Sequence, residues 1–200
     1  MTSFESIADG QRVMAILRGL PPAETVALAN RIWDAGIRLV EVPIGSPEAV
    51  PALRAAVRAG AERGMRVGAG TVLTPAQVRV SAEAGAEYTV APGLDLTVLS
   101  ASLAAGLPHL PGVATATEVQ HAYNAGCRWM KAFPAGALGT GWLRAVHGPF
   151  PDVAFVATGG LRAADVAEFL DAGARVVALG AALTDPDQLT SLTAVLRQAA

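Results

Sequence analysis

Lysine is all but missing from this chain: fourteen of its fifteen positive side chains are arginine, and the exception is Lys131. Cysteine is as scarce. Cys127 stands alone, which excludes an internal disulfide and a cysteine-rich metal site and leaves it the part of a small buried apolar residue. No run of five or six like charges occurs and the net charge is −2 with the histidines neutral, so a nucleic-acid or anionic-membrane partner has no electrostatic footprint. No apolar run approaches the roughly 20 residues of a membrane helix, and Met1-Thr2-Ser3-Phe4-Glu5 lacks a basic stretch leading into an apolar core. A cytoplasmic protein is expected. Histidines are few, and none has metal-ligand spacing: His109 lies between Pro108 and Pro111, His121 in a helical segment and His147 beside Gly148. The expectation is no metal.

What is present is a chain of 200 residues, 52% of them hydrophobic, with few aromatics. Its core is therefore built mostly of Ala, Val and Leu, and its length suits one domain spanning 1–200. Trp33 and Trp142 read as core or subunit-contact residues. Glycines recur at Gly36, Gly60, Gly85, Gly106, Gly126, Gly148 and Gly173, at steps of 20 to 25 residues, six of the seven after an alanine. Each follows a helical pattern and precedes a short apolar or β-branched run, as a glycine closing a helix in the left-handed conformation does.

The runs are Val13 to Leu17, Leu39 to Val42, Arg66 to Ala69, Tyr88 to Ala91, His109 to Pro111, Trp129 to Lys131, Ala154 to Ala157 and Val176 to Leu179. Between them, segments such as Ala23 to Ala35, Pro75 to Ala84, Thr117 to Ala125 and Ala163 to Ala172 carry apolar residues at helical spacing. Thr74-Pro75 is a good helix start. Eight strands alternating with eight helices specify an α/β fold, a (β/α)8 TIM barrel, preceded by a short extra helix over Ser3 to Asp9. A flat doubly wound sheet is the alternative.

Barrel chemistry collects at the C-terminal ends of the strands. Those ends carry Arg18, Glu41, Thr71, Lys131, Thr158-Gly159-Gly160 and Gly180. Arg18 with Glu41 reads alternatively as a structural ion pair, and Thr71 and Thr158 as helix caps. Glycine turns on the seventh and eighth units offer backbone N–H groups to a phosphate without a Cβ in the way. Glu41, inside Leu39-Val40-Glu41-Val42-Pro43, must be paired or have its pKa raised by desolvation, and either makes it an acid/base candidate. An arginine stays charged, whereas a desolvated lysine can lose its proton and attack a carbonyl. Lys131 is thus the candidate nucleophile, at the end of Trp129-Met130-Lys131 and just before Phe133-Pro134.

Several segments, in order, resemble the class I aldolases that cleave 2-keto-3-deoxy-6-phospho sugar acids, the KDPG/KHG aldolase family. They are Ala15-Ile16-Leu17-Arg18-Gly19, Val40-Glu41-Val42-Pro43-Ile44-Gly45-Ser46-Pro47, Gly68-Ala69-Gly70-Thr71-Val72-Leu73, Pro111-Gly112 with Ala114-Thr115-Ala116-Thr117-Glu118, Lys131-Ala132-Phe133-Pro134 and Thr158-Gly159-Gly160. The resemblance implies that Lys131 forms an imine, Glu41 moves protons and Thr71 helps to hold the substrate, with no cofactor. It implies a phosphorylated keto acid as substrate and a homotrimer as assembly. Phosphogluconate enzymes of the family carry an arginine where this chain has Gly45, whereas Arg18 in Ile-Leu-Arg-Gly resembles the phosphogalactonate branch and would bind the anionic substrate. Gly159, Gly160, Gly180 and Ala181 would seat the phosphate, Ala181 replacing the serine common there. A phosphosugar isomerase or epimerase using Glu41 alone, and a noncatalytic phosphate-binding barrel, are the readings from other classes.

Overall fold

The computed structural model describes residues 3–180 together with 183, 185, 188, 189 and 192. Nine parallel strands make one sheet: β1 (Val13–Ile16), β2 (Leu39–Pro43), β3 (Val67–Gly70), β4 (Thr89–Val90), β5 (His109–Leu110), β6 (Gly112–Val113), β7 (Trp129–Ala132), β8 (Ala154–Thr158) and β9 (Ala174–Leu179). Their order is β5-β4-β3-β2-β1-β9-β8-β7-β6, so the two ends of the sheet are consecutive in the chain and separated only by Pro111.

That is where the expected fifth strand, His109 to Pro111, needs correction. Proline has no N–H for a ladder, and the strand bends there into β5 and β6. Its groups still bond to both sides: Ala91 N–H donates to Leu110 O at 3.0 Å, Gly112 N–H to Gly93 O at 3.2 Å, and Lys131 N–H to Pro111 O at 2.8 Å. Counted as one bent strand, β5 and β6 close an eight-unit barrel, and the flat doubly wound alternative is excluded.

The helices are α1 (Phe4–Ala8), α2 (Pro22–Asp34), α3 (Val50–Glu62), α4 (Pro75–Glu83), α5 (Leu96–Ala104), α6 (Ala116–Asn124), α7 (Ala135–His147) and α8 (Val166–Asp171). The helix expected after the last strand lies largely outside the described residues. The Thr74-Pro75 start is capped as the sequence suggests, and α5 and α6 also carry side-chain caps. Thr74 Oγ1 accepts from Gln77 N–H at 3.2 Å, Asp95 Oδ1 from Thr97 N–H at 2.7 Å, and Thr115 with Glu118 forms a reciprocal capping box. Five of the recurring glycines close helices with φ between 76° and 106°. Two do not. Gly60 lies inside α3, where a Cβ would come 2.8 Å from Met65 O, and the turn is closed by Gly64 instead; Gly148 keeps a helical φ of −55°.

Side chains on each strand alternate between two cores. Val13, Ala15, Val40, Val42, Ala69, Met130, Ala132, Ala157 and Leu179 pack outward against the helices. Met14, Ile16, Leu39, Tyr88, Val90, Leu110, Val156, Val176 and Ala178 fill the barrel interior with Phe4, Ile7 and Ala8 of α1. Phe4 meets the Tyr88 ring edge-on with centroids 5.5 Å apart, so α1 plugs the N-terminal mouth. Chemistry is left to the other end.

Candidate active site

Alternation decides which polar groups enter the barrel. Lys131 lies between outward Met130 and Ala132, and Glu41 between outward Val40 and Val42, so both point inward; each is almost fully buried, at 4% and 1% exposure. Across the ladders Glu41 pairs with Ile16 and Gly68, and Lys131 with Gly112 and Val156. Burial raises the pKa of the Glu41 carboxyl, and the charges of Lys131 and then Arg18 oppose that rise without cancelling it. Its Oε1 is sealed and accepts no hydrogen bond. The Lys131 ammonium nitrogen lies 5.1 Å from the centroid of the Phe133 ring.

Arg18 and Glu41 do not form the structural ion pair that the sequence left open. Arg18 is exposed at the mouth, and its Nη2 donates a long hydrogen bond, 3.4 Å, to Thr71 Oγ1. Thr71 is no helix cap either. It takes φ 56°, a left-handed conformation that costs a β-branched residue about 1–3 kcal/mol. Its Cγ2 sits 3.3 Å from where a Cβ on Gly45 would be, so the absence of a side chain at position 45 leaves room for it.

After β8, Gly159 and Gly160 are both left-handed, at φ 101° and 75°. The helix expected over Ala163 to Ala172 is there, as a 3-10 turn over Ala163–Asp165 followed by α8. Among the described residues, the N–H groups of Gly159, Gly160 and Gly180 donate to no backbone acceptor, which leaves them available to an anion. Ala181 lies outside the described residues. Thr158 caps no helix; it follows outward-facing Ala157, is 3% exposed and presents its hydroxyl on the inner face. Two further residues bear on this site, Gly70 and Tyr88, and no local sequence pattern marks either for it. Both do their work through contacts across strands.

A cavity of about 900 Å3 opens at the opposite, N-terminal mouth, lined by Phe4, His109, Cys127, Arg128, Trp129 and Arg175 among others, and it holds neither Lys131 nor Glu41. Barrel geometry puts the chemistry at the other end, and size alone does not move it. His109 is structural: Ser102 Oγ donates to Leu107 O at 3.0 Å, so Thr89 Oγ1 donates to Ser102 at 2.6 Å and accepts from His109 Nδ1–H at 2.7 Å. Burial pushes its pKa down to about 4. Cys127 is half-buried rather than fully buried, and burial pushes its thiol pKa up. Trp33 is buried, and half-buried Trp142 packs edge-on against Phe155. Among the described residues no group of three or more His, Cys, Asp or Glu could hold a metal, and no helix is long and apolar enough to cross a membrane.

Known proteins are similar to this chain along nearly its whole length. A 2-dehydro-3-deoxy-6-phosphogalactonate aldolase of Escherichia coli is 36% identical over 183 residues, covering 91% of this chain and 89% of its own. A solved structure described as native KDPGal superimposes with a TM-score of 0.86 at 33% identity, covering 94% of this chain and 95% of that one. The KDPG aldolase of Legionella pneumophila, solved with pyruvate captured as a covalent carbinolamine, gives 0.85 at 28% identity, covering 99% and 98%. The profile described as KDPG and KHG aldolase matches residues 4–195. With the barrel, the inward lysine and these likenesses in agreement, this chain belongs to the KDPG and KHG aldolase family.

Proposed function

We propose that the protein is a class I aldolase that cleaves 2-dehydro-3-deoxy-6-phosphogalactonate into pyruvate and glyceraldehyde 3-phosphate. The observation that carries the reading is the burial of the chain's only lysine on the inner wall, in a barrel that also buries a carboxyl with raised proton affinity. Lys131 Nζ, as the free amine, attacks the C2 carbonyl, and the carbinolamine loses water to give an iminium. Glu41 takes the C4 hydroxyl proton as the C3–C4 bond breaks. The electron pair of that bond flows into the iminium nitrogen, leaving an enamine and releasing the aldehyde. Glu41 then returns the proton to C3, and water hydrolyses the pyruvyl iminium. The imine nitrogen is the electron sink, so the reaction as drawn needs no cofactor.

Arg18 and Thr71 orient the carboxylate end, while the N–H groups of Gly159, Gly160, Gly180 and Ala181 seat the phosphate. Holding both ends fixes the reacting bond. By the same family likeness we place the enzyme in the cytoplasm as a homotrimer, which light scattering would check.

Borohydride added with pyruvate tests the imine. An aldolase gains the mass of one reduced pyruvyl adduct on Lys131, whereas a phosphosugar isomerase or epimerase, or a phosphate-binding barrel, gains none. Lys131→Arg turning over at near wild-type rate would sink the mechanism. The sister activity, on the phosphogluconate epimer or on 4-hydroxy-2-oxoglutarate, is the second reading, favoured by the likeness to the Legionella enzyme. Arg18 and Gly45, with the 36% identical relative, favour the galactonate substrate. Comparison of kcat/KM on the two phosphorylated epimers decides between them.

A further inference from the structure

Gly70 has no backbone reason to be glycine: it sits in β3 with a φ that any residue adopts. The reason is space, and what occupies that space is Glu41. A Cβ on Gly70 would lie 1.8 Å from Glu41 Oε1, 2.4 Å from Cδ and 2.7 Å from Cγ. Two residues earlier, a Cβ on Gly68 would fall 2.1 Å from the Tyr88 ring, whose hydroxyl donates to Val40 O at 2.7 Å. Tyr88 is thereby clamped across β2 and β3 on the inner wall, and the carboxyl of Glu41 lies against the strand at Gly70. Of the two carboxyl oxygens, Oε1 is sealed from solvent and, among the described residues, receives no hydrogen bond.

We propose that Gly70 is a positioning residue for proton transfer: its bare backbone is the seat that holds the Glu41 carboxyl with Oε1 dry and Oε2 as the single atom exchanging protons with the ligand. The inference rests on the aldolase reading. In that reaction one proton leaves the C4 hydroxyl and one arrives at C3, and both pass through Oε2, so the position of that oxygen sets both rates. Real Cβ contacts essentially never fall below 3.0 Å, so with β3 held in register a side chain at position 70 requires Oε1 to move by 1.2 Å, the difference between 3.0 and 1.8 Å. Displacement of this size costs on the order of 100-fold in rate.

The test measures deuterium uptake from solvent into the methyl group of pyruvate, which reports enamine protonation, beside borohydride trapping, which reports the imine. Gly70→Ala is expected to trap pyruvate still, to exchange about 100-fold more slowly, and to show the acid limb of its exchange profile at lower pH because water now reaches the carboxyl. In a Glu41→Ala background the seat is empty, so Glu41→Ala/Gly70→Ala is expected to match Glu41→Ala in exchange rate and in Tm. Exchange by Gly70→Ala at near wild-type rate overturns the proposal. So does a further fall in rate or Tm when Gly70→Ala is added to Glu41→Ala, a comparison that stands even if the single variant does not fold. A wild-type protein that neither traps pyruvate nor exchanges its methyl protons overturns the aldolase reading itself, an outcome distinct from the other two.

Discussion

Taking the protein from pH 7 to pH 4 is expected to remove about 3 kcal/mol of folding stability through His109 alone. The ring is buried, its Nδ1 proton is committed to Thr89 Oγ1, and its Nε2 has no partner. An imidazolium there would lack solvation, with only the charge of Asp95 in its favour, so the folded-state pKa falls from 6.5 to about 4. Above pH 6.5 the ring is neutral folded or unfolded, and His109 makes no pH-dependent contribution. As the pH falls below 6.5 the unfolded chain binds a proton that the folded chain refuses, and the loss grows until the folded ring protonates near 4. That gap from 6.5 to 4, at 1.36 kcal/mol per pH unit, sets a ceiling of about 3.4 kcal/mol, of which about 3 is lost by pH 4, where the folded ring is half protonated; this is a large share of a typical total of about 5–15 kcal/mol. Urea denaturation at pH 7, 6, 5 and 4 measures it. His109→Asn, whose amide can replace the Nδ1 donor and does not titrate, is expected to be less stable at pH 7 yet to lose about 3 kcal/mol less on acidification. Equal acid slopes for the two proteins would refute the argument. The point bears on kinetics too, because a loss of rate in acid would otherwise be assigned to Glu41.

Arg18→Gln is expected to raise KM roughly 10- to 100-fold with little change in kcat, the effect of losing a charge-assisted hydrogen bond of about 1.5–3 kcal/mol; steady-state kinetics would show it, and an unchanged KM would remove Arg18 from the substrate. Gly159→Ala forces a Cβ to 2.9 Å from the Phe133 ring at φ 101°. Its KM for the phosphorylated substrate should rise while deuterium exchange into pyruvate, which carries no phosphate, stays near wild type; a fall in both would place Gly159 elsewhere. Thr115→Ala opens the capping box of α6 and is expected to cost about 1 kcal/mol, lowering Tm by roughly 2–4 °C in calorimetry with kcat unchanged.

The amino-acid sequence alone determined the barrel, five of the seven glycine-marked helix ends and the two buried ionisable groups. Each is a local signal: an apolar run of strand length, a threonine ahead of a proline, a glycine after an alanine, a charge in an apolar run, one lysine among arginines. Short-range sterics and desolvation act on such patterns wherever the rest of the chain lies. Tertiary structure decided what meets across strands. Pro111 bends the fifth strand because closure asks its segment to bond on both sides. Thr158 faces inward and Thr71 turns left-handed, so neither caps a helix. Gly70 is small for Glu41 and Gly68 for Tyr88, partners some twenty to thirty positions away. Those pairings follow from register around a closed sheet, where a one-residue slip would turn every side chain to the opposite face, and no local pattern encodes that register.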